Sequence, residues 1–191
     1  MSRRRGMSGK YKALIGVRGS RPIVVRRAPG RPLEARVALA HGVRRAALGR
    51  SGVRALKREG DGSTPLGRFP VRQVLYRADR GLRPRIPLPT HAIRANDGWC
   101  EDPGNRNYNR LVKLSAQSTA DQLMRADHLY DVVLVLGYND RPRVRGKGSA
   151  IFVHLARDGL TPTAGCVALH RRDLLAVLTQ LRPGSSIVVT C

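Results

Sequence analysis

The sequence predicts a mostly β domain with one or two helices packed on it. Two observations carry that reading. From Pro22 onward the chain breaks into short runs that are β-branched or alternate apolar with polar residues, separated by Gly and Pro. Only a late stretch, Leu174, Val177, Leu178 and Leu181, repeats its apolar residues at clear helical spacing. The 191 residues suit one domain with a sizeable core, and no repeat or linker divides them. We assign residues 1–20 to a basic, disordered N-terminus and 21–191 to the domain.

Taken in order, Ile23 to Val25, Leu33 to Ala40 and Val43 to Leu48 read as strands. Leu33, Ala35, Val37 and Leu39 fall on one face of the second, with Glu34 and Arg36 on the other. Gly60 to Pro65 is a turn-rich loop, and Phe69 to Tyr76 is another strand. No Gly-Lys-Ser/Thr follows these glycines, which argues against a phosphate loop. Residues 79–110 read as loop. Within them Trp99 sits among Asp97, Glu101 and Asp102, which either line a cleft or simply form turns. Thr119-Ala120-Asp121-Gln122 has the pattern of a capping box and predicts a short helix to about Arg125. Asp131 to Tyr138 predicts a central strand, Gly146 to Gly148 a basic turn, and Ile187 to Val189 a final strand after Pro183-Gly184 ends the helix.

The formal net charge is +23, with Arg spread along the whole chain rather than gathered in one tail. Such a field favours a polyanion of some kind. With 4% aromatic residues and no recognition motif, a specific nucleic-acid reader is not expected, though a non-enzymatic polyanion-binding module is the rival reading. No run approaches a membrane span, and the apolar stretch Ala13 to Val17 is too short for a secretory signal, so no export signal is visible. The three cysteines are Cys100, Cys166 and Cys191, an odd number, and a Cys100–Cys191 bridge would leave Cys166 free. His91, Cys100 and Asp102 lack paired ligand spacing, so no metal and no cofactor is expected.

The chemistry concentrates between Ser149 and His170. His154 closes an apolar run, and twelve residues on Cys166 stands between Gly165 and a second apolar run. Asp158-Gly159 and Pro162 in the connection are residue types that reverse a chain, so two strands can set the imidazole beside the thiol. An imidazole there lowers the thiol pKa by accepting the proton and pairing with the anion. Gly165 leaves room for substrate, and the amides around Gly165 and Cys166 can receive an oxyanion. By itself the pairing is weak, because Cys166 equally reads as a small buried hydrophobe and His154 as a hydrogen-bonded core residue. His128 and His170 are rival bases, although an extended strand carries His170 about 13 Å from Cys166.

Thr163-Ala164-Gly165-Cys166-Val167, preceded by Ile151-Phe152-Val153-His154, resembles the active-site signature of the L,D-transpeptidase (YkuD-type) catalytic domain. Glu59-Gly60-Asp61-Gly62-Ser63-Thr64-Pro65-Leu66-Gly67-Arg68-Phe69 is similar to that family's Thr-Pro-x-Gly-x-Phe segment. Segments 97–103, 108–112 and 127–131 resemble one shorter branch of it. Many members carry a His before the Gly and an Arg two places after the Cys, where this chain has Ala164 and Ala168. The resemblance implies a β-sandwich-like fold and a cysteine acyltransferase acting on peptidoglycan stem peptides, in the periplasm or cell envelope, in cell-wall biogenesis and cell shape. Cys166 would be the nucleophile, His154 the base and Gly165 part of the oxyanion pocket. Thr163, Trp99, Tyr108, Asn109 and Tyr138 would bind substrate. A backbone carbonyl or Asp158 would orient His154. Cross-linking, D-amino-acid exchange, carboxypeptidase and endopeptidase activity all fit this chemistry. So do carbapenem acylation at Cys166, a monomeric state and an anionic wall polymer held by the arginines.

Overall fold

The computed structural model describes residues 21–116 and 118–191. The expected disordered N-terminus, residues 1–20, lies outside the described residues. The strands are β1 (Ile23–Ala28), β2 (Arg31–Leu39), β3 (Gly42–Ala47), β4 (Val53–Arg54), β5 (Thr64–Pro65), β6 (Gly67–Tyr76) and β7 (Thr90–Ala92). They continue as β8 (Asp97–Cys100), β9 (Arg110–Lys113), β10 (Asp121–Gln122), β11 (Val132–Leu136), β12 (Phe152–Leu155), β13 (Val167–Leu169) and β14 (Ser186–Thr190). Among the described residues there is one α-helix, α1 (Arg171–Gln180), with short 3₁₀ turns at Ala78–Arg80 and Asp158–Leu160. The fold is mostly β.

One nine-stranded sheet runs β11-β12-β13-β3-β2-β1-β14-β6-β7, and β11 also pairs with β6. The sandwich-like body is thus one continuous sheet that closes on itself, which removes most of its open edges. Alternation decides what faces inward. Ala35 and Val37 of β2 are buried while Arg36 and Ala38 are exposed, as the period of two requires. β11 is apolar throughout because it is covered on both faces. Val132, Leu134 and Leu136 join the main core, whereas Val133 and Val135 join a second cluster with Trp99, Leu123 and Phe152. Leu174, Val177 and Leu178 put one stripe of α1 into the main core.

Two expectations fail. The segment 119–125 is not helical: Asp121 and Gln122 form β10, opposite Trp99 and Gly98 of β8. Its capping-box letters precede no apolar stripe that a helix could bury, and Leu123 instead drops fully buried into the second cluster. Residues 79–110 are not all loop either. They supply β7 and β8, and β8 is the middle of a small sheet ordered β10-β8-β9. These strands are only three or four residues long and their partners are distant in sequence, so alternation has no length in which to show. Thr64–Pro65, at the end of the expected loop, pairs in parallel with β4.

No helix among the described residues is long and apolar enough to cross a membrane. All three cysteines are free, so the Cys100–Cys191 bridge that the sequence allowed does not form; Cys100 is buried and Cys191 exposed.

Candidate active site

β12 and β13 run parallel, with Val153 opposite Val167 and His154 opposite Ala168. The connection between them crosses back to the start of the next strand, as parallel neighbours require. Extending the register by one residue sets Cys166 opposite Phe152. On β12, Val153 and Leu155 face the main core, so Phe152 and His154 share the other face. The connection is tied down where it approaches Cys166. Thr163 accepts and donates backbone bonds with Arg50 and Leu48, each at 2.9 Å. Its Oγ1 donates to Cys166 O at 2.6 Å and accepts Gly165 N–H at 3.1 Å. Gly165 has φ +142°, and a Cβ there would stand 2.8 Å from Ser63 O, so only glycine fits.

The Cys166 thiol donates to Ala150 O at 3.1 Å, and its sulfur accepts Phe152 N–H at 3.4 Å. His154 is 6% exposed, and its Nδ1 lies 2.8 Å from Leu155 O. A carbonyl oxygen only accepts, so Nδ1 carries the proton and Nε2 of the neutral ring is left as an acceptor. Of the two orienting groups the sequence left open, the structure supplies the backbone carbonyl; Asp158 lies in the 3₁₀ turn. The edge of Tyr130 also packs on the imidazole, with centroids 5.4 Å apart.

Cys166 and His154 line one cavity of about 340 Å³. Gly165, Thr163, Ala164 and Ala168 line it too. Lys57, Arg50, Arg125 and Arg157 supply basic groups to the wall, and Glu59, Glu101 and Asp121 supply acidic ones. Burial pushes the Cys166 thiol up to about 12; Phe152 N–H and the Lys57 charge oppose that, while Glu101 and Asp121 reinforce it. Burial pushes His154 down to about 4 against the bond to Leu155 O. The pair therefore rests as neutral thiol and neutral imidazole. This departs from the expected lowering of the thiol pKa by the imidazole, because desolvation is the leading cause at both groups. Glu101 is exposed as a whole residue, yet desolvation of its carboxyl and then the charges of Asp121 and Glu59 push it up to about 7.

The other sequence-derived candidates do not meet at the cavity. Trp99, Tyr108 and Asn109 are buried at 6%, 3% and 5% exposure, and Tyr138 is half-buried; none lines it. Their work in the fold is visible instead. Asn109 Oδ1 accepts Trp99 Nε1–H at 3.0 Å and Ala150 N–H at 3.1 Å, and its Nδ2 donates to Tyr138 O and Asn139 O, each at 2.9 Å. It thereby fixes the backbone whose next carbonyl receives the Cys166 thiol. Tyr108 donates to Glu59 and accepts Gly148 N–H at 3.1 Å. Tyr138 donates to Lys147 O and packs edge-on against Phe69. The rival bases lie elsewhere: exposed His128 pairs with Asp131 at 2.9 Å, and exposed His170 precedes α1 without a side-chain capping bond. His91 is engaged by Asp97 at 2.7 Å. Among the described residues no group of three His, Cys, Asp or Glu side chains is arranged to hold a metal.

Sequence reasoning missed Lys57 and Tyr130. Tyr130 stands between Asp121, to which it donates at 3.0 Å, and His154. Lys57 had one usable signal, an acid four residues on at Asp61 beside the glycine-rich segment.

A closed β body thus presents a half-buried thiol and a buried imidazole on one cavity. Residues 28–189, most of the chain, match the YkuD family, the L,D-transpeptidase catalytic domain, and the chain belongs to that family. No curated protein matches it. Membership brings with it peptidoglycan stem peptides as the family's substrates and the cell envelope as its setting.

Proposed function

We propose that the protein is an L,D-transpeptidase that works through an acyl-enzyme on Cys166. The observation that carries this is the shared cavity, in which the thiol is held by Ala150 O and Phe152 N–H and the imidazole of His154, its Nδ1 turned to Leu155 O, lines the same space. Because the thiol rests protonated, the proton moves to His154 Nε2 as Sγ attacks, rather than beforehand. The carbonyl attacked is the one following the L-centre of the diamino acid in a stem peptide. Collapse of the tetrahedral intermediate breaks the amide bond, and the departing D-residue takes the proton from His154. An amine then accepts the acyl group, giving a cross-link or an exchanged D-amino acid; water in its place gives carboxypeptidase activity. Gly165 N–H is engaged by Thr163 Oγ1, and in this reading the Cys166 N–H receives the oxyanion. Thr163 shapes this loop, and Trp99, Tyr108, Asn109 and Tyr138 act on substrate only through the backbone they hold.

The test is release of D-alanine from a stem tetrapeptide. Cys166→Ala abolishes it while circular dichroism and melting stay close to the parent, since a thiol-to-methyl change removes little volume. Parental release by the variant would sink the nucleophile assignment.

A further inference from the structure

We propose that Lys57 is a further catalytic residue, whose ammonium donates to the oxygen of the carbonyl under attack at Cys166 and holds the charge of the tetrahedral intermediate. This rests on the acyl-transfer reading of the cavity and adds to it a group from outside the Gly-Cys loop. Lys57 is an unusual lysine: its side chain is 3% exposed, and it lines the cavity. Lysine is almost never buried without a partner and a reason. Two glycines with positive φ make its path. A Cβ on Gly148 would stand 2.9 Å from Lys57 Cε, and one on Gly165 would stand 3.4 Å from Lys57 Nζ. The stem therefore runs past Gly148, and the ammonium ends beside the residue that precedes the nucleophile.

Its partners leave it a donor to spare. Nζ donates to Asp61 Oδ1 at 2.8 Å and to Arg58 O at 3.4 Å. An ammonium has three donors, so among the described residues one is left for a third acceptor. Asp61 is fixed as the anchor: it also accepts Ser63 N–H and Ser63 Oγ–H, each at 2.8 Å, and Arg58 N–H at 2.7 Å. Burial opposes ionisation of Asp61, but Lys57 and these donors outweigh it and hold the carboxyl well below its ordinary value. A cation so held needs no reorganisation when charge appears nearby. The need for it is visible too, since Gly165 N–H is already committed to Thr163 Oγ1. In the step, the Sγ–C bond forms, the carbonyl π pair moves onto oxygen, and the thiol proton goes to His154. Lys57 keeps its protons throughout, and Asp61 is a positioning residue.

Two reactions of Cys166 separate this role from a structural one. Acylation by p-nitrophenyl acetate passes through an oxyanion, whereas alkylation by iodoacetamide does not. The variants are Lys57→Met, and Lys57→Met with Asp61→Asn, which removes both charges and leaves neither stranded. The expected result is acylation slowed about 10²-fold relative to alkylation in the folded variants. Equal slowing of both reactions, or no slowing of either, overturns the proposal. Should the single variant fail to fold, the double variant decides. Release of D-alanine by the parent protein is measured alongside. Its absence would count against the transpeptidase reading alone, because the ester and the alkylating agent report on Lys57 whatever the natural acyl donor is.

Discussion

At the scale of single residues, the cavity turns on a half-buried thiol and a buried imidazole that both rest neutral. His154→Ala removes the acceptor of the thiol proton and should slow D-alanine release by a factor on the order of 10² or more. The same change in His128 or His170, neither of which lines the cavity, should not. Burial of His154 also makes a stability prediction. Its pKa falls from 6.5 to about 4 on folding, so between those values the unfolded chain binds the proton and the folded one does not. The stabilising contribution is complete above pH 6.5 and is lost as the pH falls towards 4. It amounts to on the order of 3 kcal/mol. Urea unfolding at pH 7 and pH 4 should therefore show the parent losing about that much more stability than His154→Ala; equal losses would contradict the buried neutral imidazole. The pair itself was legible in the sequence, because a Gly-Cys step and a His at the end of an apolar run are local patterns. The neutral resting state was not. It comes from the packing of Phe152, Tyr130 and the Thr163 loop around the two groups, none of which a spacing of twelve residues reveals.

At the scale of elements, the same division between local and distant explains what could be read. β1, β2, β3, β6, β11 and β14 showed themselves because each is long enough, or apolar enough, to carry a pattern. β8 and β10 did not, and they build the wall behind Cys166. Asn109 is the joint between that wall and the cavity, with four hydrogen bonds to Trp99, Ala150, Tyr138 and Asn139. It sits at φ 56°, a conformation that Asn tolerates better than most residues. Asn109→Ala strands two buried N–H groups and two carbonyls at an unfavourable φ. It should cost on the order of 3 kcal/mol in urea unfolding. It should also lower turnover in the protein that remains folded, because Ala150 O would no longer be fixed for the thiol. Unchanged stability would show that the Trp99 and Ala150 amides find other partners. The letters Tyr108-Asn109 are visible in sequence, but a sequence does not say which side of a wall a residue is on.

At the scale of the molecule, a chain of net charge +23 brings Glu59, Glu101 and Asp121 into the cavity wall opposite its general character. The composition alone therefore misdescribes the site, where both signs of charge meet a half-buried thiol. Family membership covers residues 28–189 and accounts for the body that holds these groups in place. The proposed activity rests on one event, transfer of an acyl group to Cys166. A carbapenem offers a strained carbonyl for that attack, and ring opening favours a lasting thioester. Intact-protein mass spectrometry after incubation with excess drug should show one covalent adduct, slow to form because Ala164 and Ala168 offer its carboxylate no charge. Peptide mapping should put it on Cys166 and not on Cys100 or Cys191. An unmodified mass, in protein whose Cys166 still reacts with iodoacetamide, would contradict the acyl-enzyme at the centre of this account.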